Sequence, residues 1–421
     1  MIRRTLLLAA VGTAMLAPAA GAADYVRDEV IVRSGPESAP VARVVDVPPG
    51  STVRATIARL RERPGVLSAT PNYIARASFL PDDPGSDGAA GGWQALQWNF
   101  AGPFGVNAPD AWDNVARVAR SGGRGVVVAV LDTGVAYSDR GRYKRSPDLR
   151  ATRFARGHDF VDHDRFPHDL NGHGTHVAST IGESVDNGVA VTGLAYGATI
   201  VPVRVLDRFG AGDSAAIAAG IRFAARRRVH VINLSFEFGA AVRAREIPEI
   251  IDALRFARRK GSLVVAASGN TSAGTVAYPA RAADALSVGA TTEHGCLAEY
   301  SNQGPTLDLV APGGGVDAAL EGDPNCRPDD LSGRDIVQMT LTSGVRTFGL
   351  PGRYEGTSMA APHVSGTAAL LIASGLLGER PSPAAIETWL KATARDLGAP
   401  GPDKLYGSGL IDARAATTPP A

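Results

Sequence analysis

Residues 354 to 366, YEGTSMAAPHVSG, set Ser358 among Gly356, Ala360, Ala361 and Gly366 and lead into the helix-forming run TAALLIASG. A serine opening an alanine-rich helix usually caps it, its oxygen meeting a free backbone N–H. It becomes a nucleophile only where a base takes its proton. Two other stretches offer the partners. VVVAVLDTG ends an apolar run on Asp132, and NGHGTHVAST places His173 between Gly172 and Gly174 just ahead of another helical segment. Alone, Asp132 reads as a turn residue and His173 as a helix cap or metal ligand. Together they supply an acid, a base and a nucleophile in the chain order Asp, His, Ser, with no G-x-S-x-G elbow. In that chemistry His173 takes the Ser358 proton and Asp132 holds the imidazole. The backbone N–H of Ser358 and the helix dipole face the developing oxyanion. The small neighbours then let a substrate main chain approach. Pro362 falls near the first turn, where a missing N–H costs little.

Elements must hold these residues in place. From WQALQWNF onward, valine-rich runs alternate with helical ones: GVVVAVLD, HGTHVASTIG, ATIVPVRVLD, SAAIAAGIRFAARRR, VHVINLSF, EIPEIIDALRFARRK, GSLVVAASGN, ALSVGATT. The pattern predicts an α/β domain with a mostly parallel sheet, whose functional residues sit at the carboxyl ends of strands. Ahead of it, DEVIVRSG alternates like a strand. STVRATIARLRERPG carries Val53, Ile57 and Leu60 at helical spacing with Ser51 as N-cap, and VLSATPNYIARASF reads as extended. Residues 23–80 are therefore expected to form a small α+β unit. The Pro/Gly/Asp-rich residues 81–92 are expected to be a flexible linker with a processing site, and 93–421 the main domain.

The chain has 421 residues, 44% of them hydrophobic, and a net charge of +1, which leaves no footprint for nucleic-acid or membrane-surface binding. MIRRTLLLAAVGTAMLAPAAGA has a basic start, an apolar stretch and an Ala20-Gly21-Ala22 cleavage site, so residues 1–22 read as a secretory signal peptide. No later stretch is apolar for long enough to span a bilayer, and the exported protein is expected to be extracellular or periplasmic and monomeric. Cys296 and Cys326, the only cysteines, either pair or remain separate thiols. A disulfide would close a loop of about 30 residues, worth ~3–4 kcal/mol in the chain-entropy account.

The motifs DTG, HGTHVA and GTSMAAPHV, in this order within residues 93 to 414, resemble the subtilisin-like serine proteases (subtilases, peptidase S8). The resemblance implies a three-layer α/β endopeptidase acting on proteins or peptides through an acyl-enzyme. It also implies that the N-terminal unit is an inhibitory propeptide removed by autoprocessing. Alternatives are an esterase and a catalytically silent protein that keeps the fold for binding. By the same resemblance, Asn270 in LVVAASGN donates the second oxyanion hydrogen bond. Ser235 and Phe236 belong to a substrate-pairing strand, the run from Ala266 through Ala267 to Gly269 forms a pocket wall, and Ala277 lies at the pocket floor. Glu237 stands where glycine is usual, and would either favour basic side chains or narrow the cleft. ESVDNGVAVTG resembles a calcium loop, with the Asn187 side chain, the carbonyls of Val185, Val189 and Val191, the Asp148 carboxylate and an oxygen of Gln97 as ligands. Asp159, Asp162, Asp164 and Asp169 offer a weaker calcium loop or a solvated acidic turn. His176 and His363 are expected to be structural.

Overall fold

The β-branched runs become strands and the segments between them helices. The computed structural model describes residues 25–73, 79–86, 91–239 and 241–420. The signal peptide expected at residues 1–22 lies outside them. The chain divides into two units, Met1–Ser78 and Phe79–Pro419.

In the first unit, β1 (Tyr25–Ser34) pairs antiparallel with β2 (Val41–Asp46) and with β3 (Val66–Tyr73), in the order β2-β1-β3. Helix α1 (Val53–Arg61) contributes Val53 and Leu60 to a small core with Val30, Val32 and Ala69. Its cap is Thr52 rather than Ser51. The Thr52 hydroxyl accepts from Ala55 N at 3.1 Å, while Ser51 Oγ bonds Thr56 Oγ1.

The second unit opens with α2 (Gly92–Leu96), α3 (Trp98–Ala101) and α4 (Ala108–Ala116). There follow β4 (Val127–Asp132), the short β5 (Arg153–Phe154) and β6 (His158–Asp159), α5 (His173–Gly182), β7 (Thr199–Arg204), α6 (Ser214–Arg226) and β8 (Val231–Leu234). Then come α7 (Pro248–Arg259), β9 (Leu263–Ala267), β10 (Leu286–Thr291) and β11 (Leu309–Pro312). The hairpin β12 (Thr340–Ser343) and β13 (Thr347–Gly349) precedes α8 (Thr357–Ser374), α9 (Pro383–Ala392) and α10 (Ala413–Thr417). The large sheet has the order β11-β10-β9-β8-β4-β7-β5, with β6 also on β7, and every pairing in it is parallel.

Both faces of this sheet are covered, and β4 shows how. Val128 and Val130 join a core with Val177 and Ile181 of α5 and Val364 and Ala368 of α8. The alternate residues Ala129 and Leu131 join a second core with Ile217 and Ile221 of α6 and Leu254 of α7. Successive side chains of a strand point to opposite faces, so a continuous apolar run is what a doubly covered strand requires. Helix α8 lies inside the protein and is apolar all round, as a fully enclosed helix must be.

The expected linker differs from its composition. Phe79 and the residues after it belong to the second unit. Trp93 Nε1 donates to Pro81 O at 2.8 Å, Gly85 N to Ala190 O at 2.6 Å, and Phe79 N to the Asp113 carboxylate at 3.0 Å. Proline, aspartate and glycine read as a linker because they do not periodically bury apolar surface. Among the described residues 79–86, backbone groups are hydrogen-bonded into place, and Asp83 is 1% exposed.

Cys296 and Cys326 are joined by a disulfide. Among the described residues, no helix is long and apolar enough to cross a membrane.

Candidate active site

Strand β4 ends on Asp132, which is fully buried, and α5 begins on His173. The His173 Nδ1 and Asp132 Oδ1 atoms are 2.7 Å apart, and the same oxygen accepts from Thr133 N. This approach needs a glycine at 174. A Cβ there would stand 2.2 Å from Gly134 O and 3.0 Å from Asp132 Cβ. Burial disfavours the His173 cation, but the Asp132 carboxylate favours it more strongly, and the pKa lies above the ordinary histidine value. The ring keeps 27% of its surface exposed, so it can still meet a substrate.

Asp169 ties these two elements together. Its Oδ1 accepts from Thr133 Oγ1, Asn171 N and Gly172 N, and its Oδ2 from Thr175 N and Oγ1. Thr133 Oγ1 in turn accepts from Gly174 N at 2.9 Å. The carboxylate thus bridges the end of β4 and the first turn of α5. It does not belong to a calcium loop, and neither do Asp159 and Asp162. Those two pair with buried Arg204 at 2.9 and 2.6 Å, so a guanidinium supplies the positive charge there. Asp164 accepts its own neighbour's Phe166 N.

Ser358 is the second residue of α8. Its Oγ donates to Ser235 O at 2.9 Å, and Ser235 Oγ donates back to Ser358 O at 2.7 Å. The second bond accounts for Pro362. That proline is in the helix interior rather than the first turn, and its missing N–H would leave the Ser358 carbonyl without a partner four residues earlier. The Ser235 hydroxyl takes that carbonyl. Ala360, Ala361 and Gly366 are small for packing: Ala360 and Ala361 are wholly buried, and a Cβ on Gly366 would meet Leu194 at 2.9 Å. Only Gly356 faces the reactive space. A Cβ there would lie 3.6 Å from Asn270 Oδ1, 3.7 Å from Ser358 N and 3.8 Å from Asn270 Nδ2.

Asn270 follows the end of β9. Its Oδ1 accepts from Thr357 N and Oγ1 at 2.8 and 2.9 Å, which orients the amide and leaves Nδ2 without a protein acceptor among the described residues. Glu237 turns toward this loop: its Oε1 accepts from Asn270 N at 3.0 Å, and burial raises its pKa. Phe236 is half-buried beside it. Ala267 and Ala277 are at most 1% exposed, so Ala277 presents no open surface at a pocket floor.

His176 and His363 are both wholly buried. His176 Nε2 meets Ile336 O at 3.0 Å and its ring stacks on Tyr354, while His363 bonds Asn99 and Met359 O, each at 2.8 Å. Burial pushes their pKa values down to about 3 and about 4.

At the expected calcium loop, Asp148 accepts from Asn187 Nδ2 at 2.7 Å and from Val191 N at 3.1 Å. Asp83 accepts from Asp186 N and Asn187 N, both at 3.2 Å. Neither carboxylate meets a Lys or Arg among the described ion pairs, and burial lifts Asp148 to about 7. Two buried carboxylates without a basic partner, beside an asparagine and main-chain oxygens, suit a hard divalent cation. Gln97 does not fit this set. Its Oε1 accepts from Thr192 N and its Nε2 donates to Thr192 O, so both ends of the amide pin the loop. No group of three or more His, Cys, Asp or Glu is arranged around a metal position among the described residues, so main-chain carbonyls would have to complete a site. Asp83 was hidden in the sequence by the linker-like residues around it.

A parallel sheet with an Asp–His pair and a helix-opening serine at strand and helix ends is an arrangement compatible with acyl-transfer hydrolysis. Residues 123–409 match the subtilase family. The chain is 36% identical over 323 residues to a thermophilic serine proteinase of Bacillus sp. (strain AK1), covering 77% of this chain and 67% of that protein. It is 38% identical over 299 residues to Subtilisin Savinase of Lederbergia lenta, covering 70% and 91%. Among solved structures, a protease from Pseudoalteromonas arctica PAMC 21717 matches with a TM-score of 0.62 and 30% identity over 80% of this chain and 98% of that one. The chain belongs to the subtilase family and is a subtilisin-like serine endopeptidase.

Proposed function

We propose that this enzyme is exported as a zymogen and cleaves peptide bonds through Ser358, His173 and Asp132. The observation that carries the reading is the buried 2.7 Å Asp132–His173 contact beside a helix whose second residue is a half-exposed serine. Substrate binding frees Ser358 Oγ from the Ser235 carbonyl. His173 Nε2 takes its proton as the oxygen attacks the scissile carbonyl, and Asp132 stabilises the imidazolium. The oxyanion forms between Ser358 N and Asn270 Nδ2, at the positive end of α8. His173 returns the proton to the leaving amine, and water releases the acyl group by the same path. Ser235, Phe236, Glu237, Ala267, Gly269 and Ala277 remain the residues proposed around the substrate.

The first unit acts as the propeptide, and maturation cuts before Phe79, because Phe79 N, Pro81 O and Gly85 N are each hydrogen-bonded to groups of the larger unit. A calcium ion, when bound, supplies charge compensation to the 185–191 turn. Asp148, Asp83, Asn187 and the carbonyls of Val185, Val189 and Val191 would hold it.

Intact mass of the full chain and of Ser358→Ala, with fluorophosphonate labelling of each, tests this reading. Wild type should lose its N-terminal residues up to a bond at or before Phe79 and take one label; Ser358→Ala should stay long and unlabelled. Equal trimming of both forms would remove self-processing, and a mature chain starting near residue 93 would overturn the assigned boundary. Faster turnover of matched esters with no amide cleavage would favour the esterase reading.

A further inference from the structure

We propose that Glu237 is a positioning residue for the oxyanion donor, setting the direction of the Asn270 amide through the Asn270 main-chain N–H; this rests on the reading of Asn270 and Ser358 given above. The loop from Ser268 to Ala273 is held on three sides. Asn302 holds one side: its Nδ2 donates to Ser268 O at 3.1 Å, and its Oδ1 accepts from Thr271 N and Oγ1 and from Ala273 N. Thr357 holds the Asn270 side chain by its oxygen. Glu237 holds the remaining side, through Oε1 to Asn270 N at 3.0 Å.

The fit is close at Gly269. A Cβ there would stand 2.1 Å from Glu237 Oε2 and 2.2 Å from Asn302 Nδ2, so the carboxyl occupies space that any larger residue at 269 would claim. Gly269 itself has φ +110, a backbone shape that imposes little stiffness of its own. Without Glu237 the peptide unit leading into Asn270 would have no protein acceptor on that side. The side-chain amide would then be aimed by Thr357, with the Gly269 carbonyl still held by Asn302 N at 2.9 Å and the Asn270 N–H left unheld. Oxyanion donors act by preorganisation, so a small change in aim weakens transition-state binding more than substrate binding. A glycine at 237 offers no such acceptor. Glu237 Oε1 is therefore engaged with the catalytic loop, a role that does not require selection of basic substrates.

Kinetics on a neutral peptide amide, normalised to fluorophosphonate-titrated sites, test the assignment. Glu237→Ala should lower kcat roughly 10-fold with KM changed by less than about threefold, as expected for partial misplacement of one donor. Glu237→Gln, which keeps an acceptor oxygen, should recover most of that loss. In an Asn270→Ala background, Glu237→Ala should cost nothing further, since it would act through a side chain already gone. An unchanged kcat per titrated site in Glu237→Ala, or an equal loss in the Asn270→Ala background, would overturn the proposal. So would a Glu237→Gln effect confined to substrates with a basic side chain before the scissile bond, which would restore a charge-selecting role. Failure of the wild type to take the label would instead count against the serine mechanism beneath it.

Discussion

In the proposed mechanism Asp132 and His173 carry the pH behaviour. That mechanism needs neutral His173, and its pKa is raised above the ordinary histidine value by Asp132. The acid limb of kcat/KM should therefore lie above that ordinary value, with activity rising as pH rises through it. Asp132→Asn removes the charge that raises it. The limb should move to lower pH while kcat falls about 10⁴-fold, because the amide favours the wrong tautomer. A pH–rate series on both forms checks this, and an unmoved limb would mean another group governs it. At this scale much was legible: Asp132, His173, Ser358 and Asn270 each sit in a short motif at a predicted element end. Asp169 was not. It was grouped with neighbouring aspartates, and only the folded chain shows it binding Thr133, Gly172 and Thr175.

Among the elements, α8 and the 185–191 turn show where sequence reasoning stopped. The smallness of Ala360 and Ala361 suggests peptide access, yet α8 runs through the core and its faces pack on both sides. Local sequence carries no information about which neighbour arrives from afar. The turn carries a prediction. Chelation should lower the Tm of the Ser358→Ala protein by roughly 3–4 °C, corresponding to about 2.7 kcal/mol at a calcium concentration 100 times Kd. Asp83→Asn and Asp148→Asn should shrink the chelator-sensitive difference, while Gln97→Ala should lower Tm without shrinking it, because Gln97 bonds Thr192. Differential scanning calorimetry with and without EDTA reads all three. A calcium response lost only in Gln97→Ala would reverse the ligand assignment.

For the whole molecule, buried histidines weaken the fold towards acid pH. His168, His176 and His363 are at most 3% exposed, and burial pushes them down to about 4, about 3 and about 4. Between the ordinary histidine value and these depressed values the unfolded chain binds protons that the folded chain does not. The histidine contribution to stability should therefore fall as pH drops from about 6.5 towards about 4, against an opposite contribution from Asp148, Asp169 and Glu183, whose carboxyl pKa values burial raises. His168 lies between Tyr137 and Tyr143, its ring centroid 4.9 and 4.3 Å from theirs, and neither ring nitrogen has a hydrogen-bond partner among the described residues. His168→Phe in the Ser358→Ala background should flatten this slope in urea unfolding across that pH range. An unchanged slope would place the acid sensitivity elsewhere.

The sequence by itself determined the fold class and the chain order of the candidate reactive residues. These follow from hydrophobic periodicity and short motifs, which are local properties of the chain. Tertiary structure decided the rest: that Phe79 opens the catalytic unit, that Arg204 neutralises Asp159 and Asp162, that Gln97 pins a loop, and that Glu237 faces Asn270. Each of these depends on which distant group lies within about 3 Å, and hydrogen bonds of that kind have no period along the chain.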